Sequence, residues 1–151
     1  MGSGSNSHSG DAPMNSWIVA GLIAGVVVYV VDYVMWGKVF TAGMDSYVEP
    51  MSPEQMKAFM GPALAKSAVL SLLFGLVFAY LYARLRTALW VEGGGPLAGM
   101  EFGTVLWLPV LFATVGGSIW YTRVRALHRA TMWAWLARVN AAGLVVGLLM
   151  R

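Results

Sequence analysis

The stretch WIVAGLIAGVVVYVVDYVMW, residues 17–36, is almost entirely apolar and contains one charged side chain, that of Asp32. A helix needs roughly 20 such residues to cross a hydrocarbon core about 30 Å thick, because each residue advances it by about 1.5 Å. Strands of a membrane barrel would instead alternate polar and apolar residues. The stretch is therefore predicted to be a transmembrane helix.

Three later segments have the same length and character: residues 63–83, 102–122 and 130–150. The whole chain of 151 residues is 58% hydrophobic and only 11% charged, whereas soluble domains carry about 25% charged residues. This composition excludes a disordered chain, a nucleic-acid-binding domain and an ordinary soluble enzyme. We expect an all-α polytopic membrane protein with four transmembrane helices in a bundle, spanning residues 17–151.

The first sixteen residues, MGSGSNSHSGDAPMNS, consist mainly of Gly, Ser and Asn. Such a segment lacks the apolar surface needed to pack, so a flexible tail is predicted. The tail also fits an extension added for expression, with Met14 as the native start.

The first loop contains a helix-start pattern, in which Ser52 is the N-cap, Pro53 the first helical residue and Gln55 the capping-box partner. Three apolar side chains then share one helix face: Met56, Phe59 and Met60. The pattern predicts a short amphipathic helix that lies on the membrane surface, separate from the second span.

The distribution of basic residues predicts the orientation of the chain. Four spans put both termini on one side, together with the second loop. The opposite side carries the larger share of basic residues: Lys38, Lys57, Lys66, Arg123, Arg125 and Arg129. Because basic residues concentrate in cytoplasmic loops, both termini are predicted outside.

Asp32 and Arg138 are the candidate intramembrane charge pair. Asp32 lies four residues, or about 6 Å, before the end of the first span, and Arg138 lies near the same side of the fourth. Charges in lipid are costly and need a reason. A salt bridge that locks the two helices together is the favoured interpretation. The alternatives are snorkelling side chains, an acid that exchanges protons or binds a cationic substrate, and a lipid-headgroup or anion site at Arg138.

A second candidate site is the basic segment that joins the third and fourth spans, formed by Arg123, Arg125, His128 and Arg129. These groups would attract anionic lipid headgroups just inside the membrane. The general excess of basic residues in cytoplasmic loops also explains them by itself, and it is the favoured interpretation.

Glycines four residues apart are the candidate helix-packing positions. Gly21 and Gly25 form one such pair and Gly143 and Gly147 another. Small residues at this spacing let helix backbones approach closely in lipid. Packing within the bundle is the default interpretation, and one such face would also suit an oligomer or a larger membrane partner.

The inventory of reactive groups predicts no catalytic residues, no metal site and no cofactor. The chain has no cysteine and two histidines, His8 and His128, which are expected on opposite sides of the membrane. Neither a zinc site nor bis-histidine haem ligation can be assembled from them. Catalytic triads, paired carboxylates and nucleotide loops are also absent from the sequence.

The end of the first span, Trp36-Gly37-Lys38-Val39-Phe40, precedes a Met-rich loop and a long second helix. In these features the chain resembles a family of small bacterial four-helix integral membrane proteins of unknown function. The resemblance implies the architecture and a bacterial membrane, and it implies no activity.

Two functional hypotheses are compatible with these patterns. The first is a non-enzymatic structural or accessory protein that associates with itself or with a larger membrane complex. Its partners would be the lipid bilayer, including anionic lipids, and other membrane proteins, with no nucleic acid. The alternative is a small proton-coupled or cation transporter that uses Asp32.

Overall fold

The computed structural model describes residues 16–41, 47 and 50–150. Every regular element in this part of the chain is helical, and four of the helices are long and apolar enough to cross a membrane. The prediction of an all-α chain with four helices of membrane-spanning length and hydropathy is therefore confirmed for the described residues. Residues 1–15 lie outside the described residues, and with them nearly all of the predicted flexible tail.

The four helices are α1 (Ser16–Val34), α2 (Pro53–Leu85), α3 (Pro96–Trp120) and α4 (Arg125–Leu149). A π-helical turn, Met35–Val39, extends α1, and the backbone N–H of Phe40 closes it by donating to the Met35 carbonyl at 2.8 Å. Short 3₁₀ turns come after α2 and before α4. The first helix thus begins one residue before the predicted span, within the usual uncertainty of a helix end.

The start of α2 has the predicted capping box. The Ser52 hydroxyl accepts the Gln55 backbone N–H at 3.2 Å, and the Gln55 side chain accepts the Ser52 N–H at 2.9 Å. Beyond the cap the structure differs from the sequence prediction, because the expected short helix and the second span form one continuous helix. Pro62, which lies between them, removes only one intrahelical hydrogen bond, and both flanking segments favour the helix.

The third helix begins at Pro96, six residues earlier than the predicted span. Three consecutive glycines, residues 93–95, have positive φ angles of 82°, 73° and 88°, a conformation that other residues seldom adopt. Pro96 then occupies the first helical turn, where its missing N–H costs nothing. Residues 96–101, which lie before the predicted third span, are therefore already helical.

The carboxylate of Glu101, in the second turn of α3, stabilises this connection. It accepts the backbone N–H groups of Trp90 at 2.7 Å and Val91 at 2.8 Å. Backbone donors in a turn must find acceptors, and an ionised carboxylate is a strong one. Glu101 therefore ties the end of the second helix to the start of the third.

The most extensive contacts are between helices that follow each other in sequence, α1 with α2 and α3 with α4. α1 also packs against α4. Aromatic rings fill the centre: the Phe102 ring contacts Phe78 edge-on at 5.0 Å and Tyr82 at 5.6 Å between centroids. At one end, the Arg86 guanidinium donates to the Met150 carbonyl at 2.8 Å. This contact places the end of α2 beside the end of α4, as expected for helices that alternate in direction.

Candidate functional site

The structure brings Asp32 of α1 and Arg138 of α4 together in a bidentate ion pair. Arg138 Nε donates to Asp32 Oδ1 at 3.0 Å, and Arg138 Nη2 donates to Asp32 Oδ2 at 2.6 Å. The side chains remain 21% and 20% exposed for Arg138 and Asp32, respectively. This parallel geometry neutralises both charges and is the strongest form of a carboxylate–guanidinium contact. It connects the first and last helices of the chain.

Aromatic rings position the guanidinium of Arg138. Its central carbon lies 4.4 Å from the centre of the Trp135 ring and 6.0 Å from that of Phe74. The two rings also contact each other at 5.9 Å, edge to face. A guanidinium stacked on aromatic faces gains a further electrostatic attraction in a low-dielectric surrounding. The pair is therefore held by α2 as well as by α1 and α4.

The ion pair lines a cleft of about 570 Å³ between α1 and α2. The remaining lining combines large apolar side chains with hydroxyl groups and aromatic rings, and it includes Tyr29, Tyr33, Trp36, Ser67, Ser71 and Leu70. A cleft of this volume is within the range of small-molecule sites, which are mostly apolar with a few polar groups. Asp32 and Arg138 supply the charged side chains of the cleft lining.

The predicted basic cluster is divided by the structure. Arg123, Arg125 and Arg129 are exposed, whereas the His128 ring packs against α3. A side chain at Gly117 would place its Cβ only 2.7 Å from His128 Cε1. The His128 Nδ1 atom is buried and has no hydrogen-bond partner among the described residues. The three arginines thus lie at the protein surface, and His128 belongs to the α3–α4 contact.

Tyr47 supports the predicted arrangement of the two loops on this side. Its hydroxyl donates to the Arg123 carbonyl at 2.8 Å. The contact brings the first and third loops together, which agrees with the assignment of both to one side of the bundle.

The glycines of the first predicted pair pack within the chain, against α2. A Cβ on Gly21 would lie 2.8 Å from the Leu76 Cα, and one on Gly25 would lie 2.7 Å from the Leu72 Cα. Gly75 faces both from the other side. The two helix backbones are in direct contact along this line, which we call a glycine seam, and it has no room for even a methyl group.

The second pair packs against α3 in the same way. A Cβ on Gly143 would lie 2.6 Å from the Gly99 carbonyl carbon, and one on Gly147 would lie 2.8 Å from that of Gly95. Gly103 continues the seam, opposite Val139. Both predicted glycine faces are therefore occupied by contacts inside one chain.

Sequence reasoning missed the partners of the second seam, although the signal was present. Gly95, Gly99 and Gly103 repeat every four residues, as in a typical close-packing face. Gly95 and Gly99 lie before residue 102, where the predicted span began, so the repeat was interrupted and only Gly103 fell within the span. Ser67 and Trp135 were also missed, since nothing local indicates that they line the cleft or stack on Arg138.

Within the described residues, no group of three or more His, Cys, Asp or Glu side chains is placed to hold a metal ion. Comparisons of the chain with family models, curated proteins and solved structures found no match.

Proposed function

We propose that this chain is a non-enzymatic integral membrane protein with a structural or accessory role, which associates with itself or with a larger membrane complex. We place it in a bacterial inner membrane with both termini outside. The observation that carries the proposal is the large uncovered surface of α3.

α3 packs along α4, its Phe102 ring also contacts α2, and most of its remaining surface is open. In its most apolar part only 11% of residues are buried, against 33% in α4. On the side away from α4, Phe112 is 72% exposed and Ile119 is 66% exposed. Lipid covers such side chains readily, so exposure alone does not indicate a partner. Gly116 does indicate a partner helix. A Cβ there would meet no atom within 4 Å, and a glycine on an open face permits close approach of another helix.

The glycine seams support this assignment by elimination. Gly21, Gly25, Gly143 and Gly147 are used inside the chain, so an external helix has no access to them. Gly116 is the glycine of α3 with open space around it, so the uncovered face of α3 is the one we assign to association.

The mass of the particle extracted from the native membrane in mild detergent tests the proposal. A homo-oligomer or a stoichiometric larger partner is expected, and a lone monomer would contradict it. Gly116→Leu should reduce the particle to the monomer by preventing close approach. Gly61→Leu is the matched control, because Gly61 also has open space around it but lies near the start of α2. Equal particle masses for the two variants would place the contact elsewhere.

The orientation can be tested separately, because the chain has no cysteine. A single cysteine at Ser7 should react with a membrane-impermeant maleimide in intact cells, and one at Thr122 should react only after lysis. The reverse pattern would invert the topology. The exposed Arg123, Arg125 and Arg129 would then contact anionic headgroups of the outer instead of the inner leaflet.

A second candidate function is favoured by the position of Asp32 in the cleft. A carboxylate that lines an intramembrane cleft is a typical element of proton-coupled or cation transport. Under this alternative, Asp32→Asn would abolish pH-dependent uptake of a cation into proteoliposomes while the protein stays folded. If uptake by wild type is absent, or equal in the variant, the transporter hypothesis fails.

A further inference from the structure

The cleft between α1 and α2 is open toward the side, where lipid surrounds the helices. Two of its lining residues, Tyr33 and Leu70, are 58% and 65% exposed. Along α2 the lining extends from Met60 to Phe74, about 21 Å at the helical rise. A long, narrow, laterally open groove with apolar walls fits a lipid acyl chain better than a compact soluble molecule.

The ion pair in this cleft has unused hydrogen-bonding capacity. Asp32 accepts from Nε and Nη2 of Arg138, which leaves Nη1 without a partner among the described residues. A guanidinium carries five N–H groups, and an ionised carboxylate can accept about four hydrogen bonds. Each partner can therefore take one further polar group without breaking the pair.

The net charge of the site restricts what can bind there. Asp32 and Arg138 together are neutral, and a net charge is expensive at membrane depth. A purely anionic or purely cationic head group would leave one charge uncompensated. A head group that carries both charges keeps the site neutral. Its two charges and those of Asp32 and Arg138 then form a set of four that alternate in sign.

We propose that this cleft binds a zwitterionic phospholipid, with its phosphate on Arg138 and its ammonium on Asp32. The aromatic residues Tyr29, Tyr33 and Trp36 also line the cleft, and aromatic ring faces attract an ammonium group. Trp36 is one helical turn from Asp32, about 6 Å, and a tryptophan at a span end is typical of the headgroup level. The head group therefore stays within one turn of the interface, and an acyl chain runs from the ion pair toward the membrane centre, along Leu70 and Phe74.

Lipid retention by the full chain tests this proposal. The protein is incorporated into nanodiscs of equal parts phosphatidylethanolamine, phosphatidylcholine and phosphatidylglycerol, extracted in mild detergent, and the bound lipids are counted by native mass spectrometry. Wild type should retain the two zwitterionic lipids roughly tenfold more than the anionic one, as expected for one additional charge-assisted contact. Preferential retention of phosphatidylglycerol, or retention of no lipid, overturns the proposal.

Two substitutions on α2 show whether the retained lipid occupies the cleft. Ser67→Phe fills the groove beside the ion pair and should abolish retention. Ala65→Phe adds the same ring to an exposed position of the same helix that does not line the cleft, and should retain lipid as wild type does. Unchanged retention in Ser67→Phe, or equal loss in both variants, places the lipid elsewhere and overturns the proposal.

Asp32→Asn provides a readout that a purely structural ion pair would not affect. Without the carboxylate, Arg138 carries an uncompensated charge, so the retained lipid should change from zwitterionic to phosphatidylglycerol. A folded Asp32→Asn protein with the wild-type preference overturns the charge-matching argument. If this variant does not fold, the comparison of Ser67→Phe with Ala65→Phe decides the matter.

Discussion

Replacement of Gly75 by alanine tests whether direct backbone contact holds α1 against α2. A Cβ at this position would lie 2.7 Å from the Gly25 Cα and closer still to other backbone atoms of α1. Carbon atoms pack best at about 3.5–4.0 Å. The two helices must therefore move apart by at least roughly 0.8 Å over the seam, because neither contacting group is a side chain that can rotate away.

The matched control is Gly61→Ala in the same helix. Nothing lies within 4 Å of a Cβ on Gly61, so this change should only add the helix preference of alanine, about 1 kcal/mol in a helix interior. Both variants gain that preference, and it cancels when they are compared. The difference between their unfolding free energies then measures the cost of overpacking at the α1–α2 contact. Gly75→Ala is expected to be about 1–3 kcal/mol less stable than Gly61→Ala.

The assay is reversible unfolding in mixed micelles with increasing SDS, monitored by fluorescence of the seven tryptophans. Gly75→Ala should unfold at lower SDS than Gly61→Ala, with the same slope of the transition. Equal unfolding free energies for the two variants would refute the argument, since they would mean that α1 and α2 are not in backbone contact at Gly75.

Three further predictions concern single contacts. Asp32→Asn and Arg138→Gln should each lower the unfolding free energy by about 3 kcal/mol, the low end for a buried pair because both side chains are one-fifth exposed. The double variant should lose less than the sum, and strict additivity would show that the pair is not coupled. Glu101→Gln should cost about 1.5–3 kcal/mol and speed amide exchange in the α2–α3 turn, so unchanged exchange there would contradict its role. Gly117→Ala should lower the melting temperature relative to Gly116→Ala, because only the first meets the imidazole packed on α3, and equal melting temperatures would argue against that contact.

Elements that depend on local chemistry could be predicted from the sequence. Apolar runs of spanning length predicted four transmembrane helices, because lipid forces backbone groups to bond within a segment. The Ser52 capping box predicted where α2 begins, because both of its hydrogen bonds connect residues three apart. The helical rise also predicted that Asp32 and Arg138 lie at similar depth.

Tertiary structure decided everything that depends on which helices are neighbours. The sequence contains Gly95 and Gly99, but only the antiparallel approach of α3 and α4 places them on Gly147 and Gly143. The cleft exists because α1 and α2 are in contact at Gly75 and leave space beside Asp32. Hydropathy is a property of each segment alone. Helix pairing depends on whether two surfaces fit each other, so only the folded structure shows which helices pack together.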